Sequence, residues 1–147
     1  MLDNYLLIRD FEVNDLNKLH KSRMIEKFIK DKIETKDTSQ GYNTEYYDEA
    51  YTSIISKKFL DIVHEEFNVS EKLNPIQTWI YVQNNKHSNN VWHNHINTSS
   101  INAVYYIDPP AEFGGLELSF GGRKFTIEPE VNKLYLFPYW MDHRPLA

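Results

Sequence analysis

From Ile76 to Trp140 the chain breaks into short apolar segments, IQTWIYVQ, SINAVYYID, GGLELSFGG, RKFTIEP and NKLYLFPYW. They recur at intervals of roughly 8–12 residues with turn-forming residues between them, the pattern of a β-sandwich or barrel. In GGLELSFGG, Leu116, Leu118 and Phe120 fall on one face and Glu117 and Ser119 on the other. RKFTIEP alternates again, and SINAVYYID is bounded by Asn97–Ser99 before and Pro109–Pro110 after. Strictly alternating strands bury one face each, so such a series needs layers to pack against one another.

The first half has a different period. VNDLNKLHKSRMIEKFIKD carries candidate N-caps in Asn14 and Asp15 and an irregular apolar face of Leu16, Leu19, Ile25, Phe28 and Ile29. After the polar loop ETKDTSQGYNTEY, a second stretch places Tyr51, Ile55, Phe59, Ile62, Val63 and Phe67 three and four residues apart. That spacing makes one helical stripe suited to docking on a larger surface. The expected fold class is therefore α+β, mainly β with N-terminal helices. A chain of 147 residues suggests one domain. Residues 1–72 are expected to form a helical support region and residues 73–147 the β-rich core.

Composition removes several function classes. The chain has no cysteine, so disulfides, thiolate zinc sites and cysteine nucleophiles are excluded. Its net charge of −5 argues against a protein that tracks nucleic-acid phosphates. No apolar run approaches the ~20 residues needed to span a bilayer. The N-terminus MLDNYLLIRDFEVND does not resemble a signal peptide, so a cytoplasmic location is expected.

The chemistry-bearing segment is NNVWHNHINTSS. On a strand, His93 and His95 would point to the same face and could share one metal ion. His143, just after KLYLFPYW, is the natural third ligand if the fold brings the distant strands together. Nitrogen and oxygen donors without thiolate suit Fe(II), Mn(II), Ni(II), Cu(II) or Zn(II). The plainer alternative is two surface histidines in a polar loop. His20 and His64 lie in helical stretches and read as ordinary surface or core residues, and His87 reads as a solvated loop residue near the approach to the pair.

The series WHNH (Trp92–His95), AVYYID (Ala103–Asp108), EFGGLELSF (Glu112–Phe120) and NKLYLFPYWMDH (Asn132–His143) resembles the prolyl-hydroxylase-like branch of the Fe(II)- and 2-oxoglutarate-dependent oxygenases. The resemblance covers roughly Ile76 to His143. It implies a double-stranded β-helix, the jelly-roll or cupin-like architecture. It also implies an enzyme that binds Fe(II) and the cosubstrate 2-oxoglutarate, and that uses dioxygen to hydroxylate a peptide or small molecule. Within it, His93 matches the proximal metal histidine and His143 the distal one. Tyr106 matches a tyrosine that hydrogen-bonds the 2-oxoglutarate carboxylate. Asn102, four residues earlier, shares its side of the strand. Trp79 and Tyr81 share a face of the preceding strand and could line the pocket.

Two departures stand against that pattern. His95 occupies the family's carboxylate position, although some relatives carry histidine there, and Asp142 is a possible substitute. The family also places an Arg or Lys on a strand beyond the distal histidine, to pair with the cosubstrate carboxylate. Here the sequence ends at Ala147, and Arg144 lies too close to His143 to match. The expectation is a jelly-roll core lacking its last strand: either an open reading frame cut short, or a sheet edge covered by another copy in a homo-oligomer. Two other readings stay open. One is a cupin-like three-histidine metalloenzyme that does not use 2-oxoglutarate. The other is a metal-free jelly-roll binding module with Trp79, Trp92 and Tyr81 as its aromatic wall.

Overall fold

Strands with one apolar face need a second apolar layer, and the computed structural model of the protein supplies it. The structure describes residues 4–34, 43–46, 49–68, 78, 80–83, 91–97, 100–107, 109 and 115–146. In chain order the elements are β1 (Leu7–Asp10), α1 (Asn14–Glu34), β2 (Asn43–Tyr46), α2 (Glu49–Phe67), β3 (Ile80–Gln83), β4 (Ile101–Tyr105), β5 (Gly115–Phe120), β6 (Arg123–Ile127), β7 (Lys133–Pro138) and β8 (Asp142–Leu146). The chain divides into two compact units, Met1–Tyr42 with Gln83–Ala147, and Asn43–Val82.

The first unit holds two antiparallel sheets, in the orders β1-β7-β4 and β6-β5-β8. Their facing sides make the core. Leu116, Leu118, Phe137 and Met141 are buried together, with Leu6, Val104, Phe120 and Ile127 packed against them. Leu118 is fully buried, and withdrawing such a side chain from water contributes roughly 2 kcal/mol. β7 is apolar on both faces. Tyr135 and Phe137 point toward the second sheet, while Leu134 and Leu136 are buried on the opposite side. There the first turn of α1 lies against the sheet. The Asn17 side-chain amide donates to the Tyr105 hydroxyl, and the Phe11 and Tyr105 rings are 4.8 Å apart.

Local chemistry sets the turns and ends. Gly121 and Gly122 take φ of 59° and 75°, as a two-residue type I′ hairpin requires, and they place Phe120 opposite Arg123. Gly115, at φ 128°, passes so close to the Ile127 carbonyl oxygen that a Cβ would collide with it. The first helical bond of α1 runs from Asn17 N to Val13 O at 2.8 Å. The cap is thus Val13, one residue before the expected Asn14. In the second unit β2 pairs with β3, and the Ser56 and Thr78 hydroxyls meet at 2.6 Å. Tyr51, Ile55 and Val63 of the expected stripe on α2 are buried, but Phe67 is exposed at its end. Asn68 follows at φ 47°, a left-handed helix stop.

The mixed helix-and-sheet class and the antiparallel β-rich second half are present. Within the region 1–72 expected to be a helical support, β1 precedes the first helical stretch and β2 lies in the segment ETKDTSQGYNTEY that reads as a loop. Each has only four residues, too few to register a period of two. No helix among the described residues is long and apolar enough to cross a membrane.

Candidate metal centre

His143 is the second residue of β8, directly opposite Leu118 in the centre of its sheet. Alternation turns its ring inward, where the Phe137 ring stands edge-on at 4.8 Å. On the other side of β8, His93 forms an isolated antiparallel bridge with His143. The two residues exchange backbone hydrogen bonds of 3.0 and 2.9 Å. Two residues on, His95 N donates to the Tyr139 carbonyl at 2.9 Å. His93 and His95 therefore line up beside His143, with ring centroids 4.2 Å (His93–His143), 5.1 Å (His95–His143) and 5.3 Å (His93–His95) apart. One ligand nitrogen from each lies within 4.8 Å of the others, and the three histidines could hold a metal ion.

The tautomers favour that role. Nδ1–H of His143 donates to the Met141 carbonyl at 2.9 Å, and Nδ1–H of His93 donates to the Val91 carbonyl at 3.0 Å. A carbonyl only accepts, so the proton is fixed on Nδ1 and the Nε2 lone pair is left for a cation. Burial pushes the His143 imidazole down to about 4, helped by the neighbouring His93 and His95 and opposed by the Met141 carbonyl and the Asp142 charge. Burial, then the charge of His93, also lowers His95. Both stay neutral at physiological pH, so a cation need not displace their protons. The site grades from exposed His93 through half-buried His95 to buried His143. Three imidazoles suit borderline divalent ions such as Zn, Cu, Fe or Ni rather than oxygen-seeking Ca or Mg.

The candidate carboxylate is elsewhere. Asp142 lies on the opposite face of β8, exposed, and accepts a 2.9 Å hydrogen bond from the Asn94 side chain. Strand alternation is the reason. Arg144 also points away from the histidines. It pairs with Glu117 at 2.8 Å, and its guanidinium lies 4.6 Å from the Trp92 ring centroid. Trp92 is thus part of an outer face and not a wall of the metal site.

Asn102 is the cross-strand partner of Phe137, so the two share the inward face, and Phe137 touches His143. Tyr106 lies four residues further along, roughly 13 Å at strand rise. Its ring meets Tyr135 edge-on at 5.9 Å. Burial raises its phenol well above the ordinary range, reinforced by Tyr135, so it stays a hydrogen-bond donor. The side chain of Tyr81 lies outside the described residues, as do Trp79 and His87.

The carbonyls of Val91 and Met141, each two residues before the histidine it orients, have no signature in sequence, because every residue carries a carbonyl. Glu117 falls on the polar face of its strand with Ser119, yet it is buried against Arg144. No family model matches the chain, and no curated protein or solved structure matches it.

Proposed function

We propose that this protein binds a catalytic divalent metal through His93, His95 and His143, and that it is a non-haem Fe(II) oxygenase taking 2-oxoglutarate as cosubstrate. The observation that carries the proposal is the convergence of three imidazoles from two chain segments on one point, His93 and His143 each oriented by a backbone carbonyl. The arrangement of strands is compatible with it. Two antiparallel sheets, ordered β1-β7-β4 and β6-β5-β8, with the His93 segment bridged to β8, leave the double-stranded β-helix implied by the sequence series open.

Iron held by three protein ligands keeps coordination positions open, where it would support oxidative decarboxylation of 2-oxoglutarate by dioxygen, giving succinate and carbon dioxide and leaving one oxygen atom on a substrate C–H bond. The residues of the chain do the rest. His143 and His93 hold their lone pairs in fixed directions through the Met141 and Val91 carbonyls. Phe137, Leu118 and Met141 exclude water behind His143. Asn102 and the protonated Tyr106 offer hydrogen bonds on the inward face to the oxygens of a bound acid.

A three-histidine metalloenzyme that does without 2-oxoglutarate is the second reading, favoured by one observation. Among the described residues no Arg or Lys lies between the two sheets. The two cations with inward strand parity sit at strand ends: Arg123 is exposed by the hairpin and Lys133 is held by Asp10. Anaerobic titration with Fe(II) and 2-oxoglutarate separates the readings. The oxygenase gives a weak visible charge-transfer band, and succinate forms on admitting air. Bound iron with neither signal refutes the 2-oxoglutarate assignment and leaves the second reading. Metal binding unaffected by His93→Ala refutes both.

A further inference from the structure

Among the described residues, the strand segment carrying His93 and His95 is held by the bridge from His93 to His143 of β8 and by the bond from His95 N to the Tyr139 carbonyl, in the turn between β7 and β8. A ligand pair on so short a ladder would not keep its spacing from His143 by backbone alone. The outer face of the same sheet supplies the difference. Because alternate residues face opposite ways, Trp92 and Asn94 flank His93 on the outside, just as Asp142 and Arg144 flank His143.

We propose that these four residues are a two-point clamp that positions the metal ligands. On one side of the bridge the Asn94 amide donates to Asp142 Oδ1 at 2.9 Å. On the other, the Trp92 ring lies over the Arg144 guanidinium, 4.6 Å from centroid to Cζ, with Lys124 Nζ 5.7 Å from the same centroid. Arg144 is itself fixed from below by Glu117, whose carboxylate is buried in the middle strand. The clamps act one residue before and one residue after His93, so they set both the rotation and the separation of the His93–His95 strand relative to His143. Trp92, Asn94, Asp142 and Arg144 lie, by strand alternation, on the face opposite the ligand rings. They are positioning residues, and the inference rests on the metal-centre reading.

The two ideas fail differently in one experiment: Co(II) binding to the full chain, followed by calorimetry and by the visible ligand-field spectrum. Asn94→Ala removes an exposed contact, and its metal-free unfolding midpoint is expected to match the wild type. Its Co(II) affinity is expected to fall about tenfold, at the weak end of what outer-shell changes cost, with an altered spectrum. Asp142→Ala should behave alike, and the double variant should be no weaker than either single one. Trp92→Leu keeps apolar cover but loses the ring face, and should also shift the spectrum. Wild-type affinity and spectrum in all these variants overturn the clamp while leaving the metal centre standing. So does an affinity loss that merely tracks lost stability, with the spectrum unchanged. No Co(II) binding by the wild type, or binding indifferent to His93→Ala, overturns the metal centre and the clamp with it.

Discussion

Acid should weaken the metal-free protein through His143. The imidazole falls from an ordinary value of 6.5 to about 4 in the fold, chiefly through burial. The unfolded chain therefore binds the proton more readily than the native one. Stability must rise with pH between about 4 and 6.5 and level off above that range. Integrating the two titrations between pH 7 and pH 5 gives a loss of about 2 kcal/mol at pH 5. Solvent screening does little to reduce this, since His143 is only 6% exposed. His95 is lowered too, so its contribution has the same sign. Asp10, held below the usual carboxylate value of 3.8 by Lys133, contributes stability that is lost only further into acid. The assay is equilibrium urea unfolding of chelator-treated protein at pH 7, 6 and 5, beside His143→Asn. Asparagine can still donate to the Met141 carbonyl but does not titrate. Wild type should lose stability across this range, and the variant should lose clearly less. Equal slopes for the two proteins would refute the assignment of the effect to His143.

Other outcomes follow from the packing. Leu118→Ala leaves a cavity between the sheets and should cost about 2–5 kcal/mol in urea unfolding. Gly115→Ala pushes a Cβ into the Ile127 carbonyl at a left-handed φ and should lower stability by about 1–3 kcal/mol, read from the thermal midpoint. Arg144→Ala strands the buried Glu117 carboxylate and should cost about 3 kcal/mol. The paired change Glu117→Leu with Arg144→Met should recover most of that loss in the same unfolding assay. Added Zn(II) or Co(II) should raise the thermal midpoint in a concentration-dependent way, and His95→Ala should abolish the rise.

Legibility in the sequence followed the range of the forces. The β5–β6 hairpin was readable because two glycines and strict alternation are local. The α2 stripe was readable because burial repeats every turn, although Phe67 overran it. The pairing of His93 with His95 followed from strand period alone, while the arrival of His143 needed the whole strand series. β8 escaped notice. DHRPL does not alternate and contains Pro145, which weakens any strand signal. Its place in the sheet comes from β5, a partner more than twenty residues away. The burial of Glu117 was not legible because its cation arrives from that same strand. The Asn94–Asp142 contact depends on register, and register is fixed only once the sheet exists.

The bridge between His93 and His143 also has a topological meaning. Between His95 and His143 the chain runs through β4, β5, β6 and β7, so a cation shared by these residues closes a loop around most of both sheets. A permanent cross-link over a loop of about 50 residues would raise the unfolded state by ~4 kcal/mol on the chain-entropy model. A reversibly bound metal stabilises the fold instead by binding the native histidines more tightly than the unfolded ones, and closing this long loop is what makes the unfolded chain the poorer ligand. Loading the site would then tie the two ends of the β-rich half into a single cooperative unit.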